Sequence, residues 1–406
     1  MKVLVANVGS TSFKYKLFEM DDESVLASGG AERVKSERGL FSYRADGKPE
    51  VRLELPLPDH NAAITLALDK LVDPRVGALK SLDEVAVVGF KTVLAGDLPG
   101  TALLTDEVVA GMENYNCVLP AHNPPYIAAI RVFQQLTPGK PLVGVFEPGF
   151  HRDRPKYTMV YGVPYSWYEE LGIKKYGYHG NSHRYVSQRV CEILGYGPKG
   201  LRIITCHLGG SSSLCAIKDG RSVDTSMGFS AQSGILNSTR NGDLDPFVLI
   251  YVMREKNLSA QEVSDILTKE GGLAGISGLS GDIRDLEKAA DQGNERAQLA
   301  LDVMVYDVKR YIGAYAAILG GVDVLTFAGG IGEKGTWMRS LVCQGLEFLG
   351  IRLDEERNRL ARGTEEIISQ DSSSVKVVVV PTNEELMVAR ETTHLVKELG
   401  KGTREA

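Results

Sequence analysis

In the stretch Val-Gly-Val-Phe-Glu-Pro-Gly-Phe-His, residues 143–151, a short apolar run ends in one carboxylate, Glu147. A carboxylate at the tip of a buried strand is costly unless it has a charge partner, a metal or a proton to move. The residue types leave all three uses open. Pro148 fixes its own φ and biases Glu147 towards extended backbone, and Gly149 restores freedom beyond it. Two glycine-serine turns suggest a second kind of chemistry. "NVGSTSFKYKLF" (7–18) and "CHLGGSSSLCAI" (206–217) each carry an apolar strand into a turn of small residues. Backbone N–H groups and hydroxyls approach phosphate oxygens closely only where side chains are small. One such turn alone reads more readily as an ordinary hairpin than as a ligand loop; two of them, paired by duplication, suit a phosphate cleft. Neither has the GxxxxGK[ST] spacing, and 330–335 reads as lacking both the GxGxxG pattern and its strand–helix context.

The elements that position these residues follow a repeated plan. In 12–17, Phe13, Tyr15 and Leu17 alternate with Ser12, Lys14 and Lys16, which predicts a strand after the first turn. The second turn is followed by a strand that Asp219-Gly220 should close as a hairpin. "VAVVGFKTVLAG" (85–96) and "VDVLTFAGGIGEKG" (322–335) form another matching pair, each an apolar strand entering a glycine turn. Two pairs in the same order indicate duplication of a mixed α/β unit. Helices are expected at 124–136, at 295–319 ending on Gly320-Gly321, and at 383–398 opening on a capping box from Thr382 to Glu385. The tail "GKGTREA" reads as polar and frayed.

A chain of 406 residues is long for one core and favours two domains. Its 43% hydrophobic and 24% charged composition, with a net charge of -6, offers no electrostatic case for nucleic acid or an anionic membrane. Five dispersed cysteines without a CxxC pattern read as reduced thiols of a cytoplasmic protein. No apolar run approaches the roughly 20 residues of a membrane span, and the strand-like "KVLVAN" at the start leads us to expect no signal peptide.

Beyond these patterns, "NVGSTSFKYKLF", "YGYHGNSHRYVS", "CHLGG", "DGRSVDTSMGF", "STRNGDLDP", "SGLSGDIRDLE", "GGIGEK" and "PTNEELMVARET" together resemble the acetate kinase family of acyl-phosphate-forming kinases, nearly end to end. The resemblance implies an α/β fold of the duplicated actin-like (ribonuclease H-like, ASKHA-type) kind, with two domains around a nucleotide cleft and a homodimeric assembly. It implies a discontinuous N-terminal domain, 1–150 plus 384–406, and a nucleotide-binding domain at 151–383. Carried over position by position, it implies that Asn7 and Glu384 serve Mg2+ or Mn2+, and that Ser10, Ser12 and Lys14 lie near the transferring phosphate. ATP or ADP would meet His207, Gly209, Gly210, Asp282, Ile283 and Arg284, with Gly330, Ile331, Gly332 and Glu333. His179 and Arg240 would stabilise the phosphoryl group in flight, and Glu147 would act at the metal. Lys91, Val93, Ala121, Tyr178 and Ala231 would surround the acid. Plainer readings stand beside these: Lys14 as a solvated strand residue, His183 as structural, Arg284 as the partner of Asp282, and Glu147 as the partner of Lys91 or Arg240.

The chain also departs from the family pattern. "FKTVLAG" stands where an "HRVVHGG"-like stretch is usual, so Lys91 replaces an arginine and loses its planar two-pronged grip. Ala121 and Ala231 replace a leucine and a proline, which implies a larger acid pocket than one built for acetate. Glu147 stands for an aspartate, Gly210 and Lys334 for asparagines. The leading expectation is an ATP-dependent kinase of a small carboxylic acid. A kinase of a hydroxyl substrate, with Glu147 as base, and a catalytically silent nucleotide sensor are the rival readings.

Overall fold

The computed structural model describes residues 1–98 and 100–402. The polar tail read at 400–406 lies outside the described residues from 403 onward. The chain forms two compact units, one of Met1–Gly149 with Asn383–Ala406, the other of Phe150–Thr382.

The first unit is built on strands β1 (Lys2–Val8), β2 (Ser12–Glu19), β3 (Ser24–Glu32), β4 (Ser36–Ala45), β5 (Val51–Leu57), β6 (Val85–Thr92), β7 (Thr101–Leu103) and β8 (Leu142–Phe146). They make one sheet in the order β5-β4-β3-β2-β1-β6-β8-β7. β1 runs antiparallel to β2 and parallel to β6, and β6 runs parallel to β8. Central strands such as "VAVVGF" and "LVGVF" are apolar at nearly every position because both faces are covered. On one face, Phe90 of β6 meets Phe133 of the helix Asn123–Leu136 edge to face at 5.3 Å. The opposite face takes the helix Glu384–Gly402, whose Thr392 and Val388 lie against Gly89. A Cβ at Gly89 would come within 2.5 Å of Thr392 Oγ1, so this glycine sets the close approach of helix to sheet.

In the second unit β9 (Arg202–His207), β10 (Ser213–Lys218), β11 (Arg221–Thr225), β12 (Val324–Ala328), β13 (Glu366–Ile367) and β14 (Lys376–Val379) pair in the order β11-β10-β9-β12-β14-β13. β9 is antiparallel to β10 and parallel to β12, and β12 is parallel to β14. The pattern of β1, β2, β6 and β8 thus recurs in β9, β10, β12 and β14. Asp219 and Gly220 both have positive φ, 54° and 74°, as the tight hairpin between β10 and β11 requires. Alternate residues of β9 face different layers. Ile204 and Cys206 join the core under the helix Glu295–Leu319, and Ile203 joins Val186 and Val190 of the helix Gly180–Leu194. The helix Glu295–Leu319 runs as expected and stops at Gly320, which takes the left-handed conformation.

Three local expectations need correction. The capping box does not form: Asn383, not Thr382, receives the first free amide of the helix Glu384–Gly402, from Leu386 N at 3.3 Å. The Thr382 hydroxyl donates instead to Ser182 Oγ at 2.8 Å. The segment after β12 does have strand–helix context, since Ala328 leads directly into the short helix Gly329–Lys334. Glu147 does not extend the strand; it begins a 3-10 turn, Glu147–His151. Proline is at home in a first helical turn, where its missing N–H is not needed, so Pro148 promotes the turn it was expected to resist.

Cys191, Cys206, Cys215 and Cys343 are buried free thiols and Cys117 is exposed. Among the described residues no helix is long and apolar enough to cross a membrane.

Candidate functional site

In the first unit, charged side chains converge from the ends of three elements. Lys91 comes from the end of β6, Glu147 follows β8, and Glu384 opens the last helix. Lys91 Nζ lies 3.4 Å from Glu147 Oε1 and forms a second ion pair with Glu384. Glu147 is 3% exposed. Burial alone would favour the neutral amine of Lys91, but the carboxylates of Glu384 and Glu147 outweigh it and hold the ammonium well above the usual lysine range. The partner foreseen for Glu147 is therefore Lys91. The same contacts show that the Lys91 ammonium serves two anions of its own chain before any ligand arrives.

Beside this triad, Asn7 Oδ1 accepts from the Tyr126 hydroxyl at 3.0 Å. Burial raises the Tyr126 phenol well above its ordinary range, so it remains a donor. The turn after β1 is closed by Gly9 N donating to Ser12 O at 2.8 Å, and His60 Nε2 lies 2.9 Å from Gly9 O. Ser10 is exposed, and Ser12 is half-buried. Lys14, opposite Asn7 in the β1–β2 register, is exposed. Val93 is buried behind the end of β6, and Ala121 is exposed just before the helix Asn123–Leu136.

The second unit gathers the histidines. His179 caps the helix Gly180–Leu194 with φ 55°, a conformation few non-glycine residues adopt. Its ring stacks on His207, at the end of β9, with centroids 4.2 Å apart. His179 Nδ1 lies 2.8 Å from Ser213 Oγ and His207 Nδ1 2.7 Å from Ser182 Oγ. The turn after β9 is closed by a side chain instead of a carbonyl: Gly209 N donates to Ser212 Oγ at 3.0 Å. Gly210 is exposed, and a Cβ there would touch only Ser238 Oγ, at 3.5 Å.

Arg240 is half-buried, and its Nη1 donates to the Ala231 carbonyl at 2.9 Å. Burial lowers its pKa to about 10. Among the described residues no carboxylate forms an ion pair with it. A guanidinium held out of water without a counter-ion is a place for an anion. Tyr178 is buried and its hydroxyl donates to Phe229 O at 2.6 Å.

The nucleotide candidates are more occupied than the sequence suggests. Asp282 caps the helix Ile283–Asp291 and accepts from Arg284 Nε at 2.9 Å; that bond pulls its carboxyl down to about 2. The exposed Arg284 is thus the partner of Asp282, and Ile283 is buried. The amides of Ile331 and Gly332 both donate to Leu208 O, and Glu333 Oε1 accepts from Thr382 N at 3.1 Å. Gly330 is exposed, with open space where a side chain would be.

Sequence reasoning passed over His60, Tyr126, Ser182, Thr205 and Ser213, the groups that hold the candidate residues in place. The i, i+4 spacing of His179 and His183 in "HGNSH" was the available signal for a shared face.

A model of the Acetokinase family matches residues 2–390. The acetate kinase of Caldanaerobacter subterraneus subsp. tengcongensis is 47% identical over 399 residues, covering 98% of this chain and 99% of that protein. The crystal structure of Porphyromonas gingivalis acetate kinase superposes with a TM-score of 0.88 at 41% identity, covering 97% of this chain and 99% of that one. A propionate kinase from Francisella tularensis subsp. tularensis gives 0.89 at 31% identity, covering 97% and 99%. Identity at this level along nearly the whole length agrees with the repeated strand pairing, the glycine-serine turns and the lone guanidinium: the chain belongs to the acetokinase family.

Proposed function

We propose that the protein transfers the γ-phosphoryl group of ATP to a short-chain carboxylic acid, giving an acyl phosphate and ADP, in a reaction that also runs towards ATP. The observation that carries this reading is Arg240, a half-buried cation that no carboxylate among the described residues neutralises. Phosphoryl transfer is mainly positioning and charge stabilisation, and such a cation is suited to the oxygens of the transferring group. The acid is ionised at neutral pH, since ordinary carboxyl pKa values are about 4. Its oxygen attacks phosphorus directly, the bond from phosphorus to the β,γ-bridging oxygen breaks, and no base is required.

The acid is assigned to the neighbourhood of Lys91 and Val93 in the first unit, with Ala121 of the same unit as a further wall candidate. The absence of bulk at Ala121 supports acceptance of acids longer than acetate. ATP or ADP is assigned to the second unit, near Gly209, Gly210 and Gly330. The donor set in the first unit fits a hard divalent cation. Glu147 and Glu384 are two carboxylates already gathered around one positive charge, the Lys91 ammonium, with the amide oxygen of Asn7 nearby in the fold. Glu384, Glu147 and Asn7 would hold Mg2+, directly or through water, although no group of three or more His, Cys, Asp or Glu gathers among the described residues. Bound there, Mg2+ supplies neutralisation of phosphate charge.

The chain is further assigned a homodimeric assembly. The helix Pro246–Lys256, "PFVLIYVMREK", has no buried residue, and Phe247 and Tyr251 are 72% and 65% exposed. An apolar helix with no buried residue suits a second copy of the chain.

The test is a hydroxylamine trap for acyl phosphate with acetate, propionate and butyrate. Hydroxamate should form with ATP and Mg2+, with propionate or butyrate at least matching acetate in kcat/KM. Arg240→Ala should reduce kcat by about 100-fold or more. ATP binding without hydroxamate from any acid would overturn the reading in favour of a silent nucleotide sensor.

A further inference from the structure

Behind His179 runs a chain of hydrogen bonds that the transfer reaction as described does not use. The Thr205 hydroxyl lies 2.7 Å from His183 Nδ1, His183 Nε2 lies 2.8 Å from the Ser213 hydroxyl, and that hydroxyl lies 2.8 Å from His179 Nδ1. β9 supplies Thr205, β10 supplies Ser213, and His183 sits in the first turn of the helix that His179 caps. Thr205, His183 and Ser213 are each 1% exposed or less, so water is not available to complete their bonding.

The hydrogens in this chain can be counted. Each hydroxyl has one. His183 is deeply buried, and burial, with His151 and His207 nearby, holds it well below its ordinary pKa; it is neutral and has one ring N–H. Ser213 can donate to only one of its two imidazole neighbours, so the other must donate to it. Two arrangements satisfy this. In the first, Thr205 donates to His183 Nδ1, His183 Nε2–H donates to Ser213, and Ser213 donates to His179 Nδ1. In the second every bond is reversed, and the Thr205 hydrogen has no acceptor. Among the described residues His183 Nδ1 is the one polar partner of the Thr205 hydroxyl. A buried O–H deprived of an acceptor loses its hydration without return, so the first arrangement wins.

The ring of His179 is also held against rotation. Its backbone is left-handed at φ 55°, and its face lies on His207 with an interplanar angle of 23°. His207 is served in the same sense: the Thr382 hydroxyl donates to Ser182 at 2.8 Å, and Ser182 Oγ lies 2.7 Å from His207 Nδ1.

We propose that the Thr205–His183–Ser213 chain fixes His179 in the tautomer carrying its hydrogen on Nε2, which makes Ser213 and His183 positioning residues for a donor directed to the transferring phosphoryl group. The part played in transfer rests on the phosphotransferase reading above; the tautomer does not. A hydrogen on Nδ1 would break the bond from Ser213, so it is Nε2 that carries the donor hydrogen.

The experiment uses the full chain labelled with 15N-histidine, with long-range proton–nitrogen correlation spectra at neutral pH. His179 is assigned by the loss of its signals in His179→Gln. The expected result is a pyridine-type Nδ1 and a pyrrole-type Nε2 for both His179 and His183, and a mixed pattern for His179 in Ser213→Ala. In the hydroxamate assay Ser213→Ala should lower kcat about tenfold with KM for ATP within about twofold. Thr205→Val, nearly isosteric, should shift the His183 pattern and lower kcat in the same direction; it replaces Ser213→Ala if that variant does not fold. A pyrrole-type Nδ1 on wild-type His179, or a His179 pattern indifferent to Ser213→Ala, would overturn the tautomer assignment. The expected spectra with unchanged kcat in both variants would overturn the positioning role. A wild-type protein without turnover would defeat the kinase reading and leave the tautomer to be decided by the spectra alone.

Discussion

At the residue scale, Glu147 illustrates how much a motif leaves undecided. The sequence placed a carboxylate at a strand end and allowed a partner, a metal or a proton as its reason. The structure supplies the partner, Lys91, which also serves Glu384. An ionised substrate makes the proton role unnecessary, so the metal role is the one to test. Glu147→Gln removes one negative charge from the triad while keeping its size. It should reduce kcat by about 100-fold and raise the Mg2+ concentration needed for half-maximal rate. Glu147→Asp should remain active. Near-wild-type turnover and unchanged Mg2+ dependence in the glutamine variant would leave Glu147 only a structural role. It was the family resemblance that singled out Asn7, His179, Arg240 and Glu384. Residue types and order could not show that Lys91 is already paired with Glu384, or that Ile331 and Gly332 spend their amides on Leu208. These are facts of three-dimensional distance between segments far apart in sequence, and no local pattern encodes them.

At the scale of elements, the sequence was most legible where backbone physics is local. The helix Glu295–Leu319, the Asp219-Gly220 hairpin and the repeated strand–turn–strand order all follow from periodicity and turn chemistry. It misled where two local solutions competed. Thr382 and Asn383 are both good caps, and tertiary contact decided between them, because the Thr382 hydroxyl is taken by Ser182. The consequence is testable. Asn383→Ala should destabilise the first unit by about 1 kcal/mol, as loss of a helix cap does, whereas Thr382→Val should leave the helix Glu384–Gly402 as stable as before. Urea unfolding of both variants checks this; the opposite order would restore the capping box.

At the scale of the whole molecule, buried imidazoles set the response to acid. Burial, together with Arg154 nearby, brings His151 down to about 3, against about 6.5 when the chain is unfolded. Its nitrogens are satisfied by Ser222 and the Tyr178 carbonyl. Between those two values the unfolded chain binds a proton that the folded chain does not, so stability falls as pH falls. The slope is about 1.4 kcal/mol per pH unit for each such histidine. His183 adds in the same direction. Urea midpoints should therefore drop steadily from pH 6.5 downwards, and His151→Gln should flatten the slope by one histidine's share; a slope unchanged in the variant would exclude His151 as a source. Assembly is a second property at this scale. Wild type should elute as a dimer in light-scattering chromatography and Phe247→Glu/Tyr251→Glu as a folded monomer. A double variant that stays dimeric would move the interface away from the helix Pro246–Lys256.

The first unit is sewn together from both ends of the described chain, since Asn383 onward returns to the sheet begun by Lys2–Val8. During synthesis this imposes an order. Domains tend to fold as units while the chain emerges, yet the sheet of the first unit must wait, with the Gly89 face open, until residues 150–382 have been made. The second unit is contiguous and can close first. Until Glu384 emerges, the Lys91 ammonium has only one of its two carboxylates, so the charge centre of the first unit is among the last features of the protein to exist. Nascent chains therefore lack the complete Lys91–Glu147–Glu384 triad until the last helix has been made.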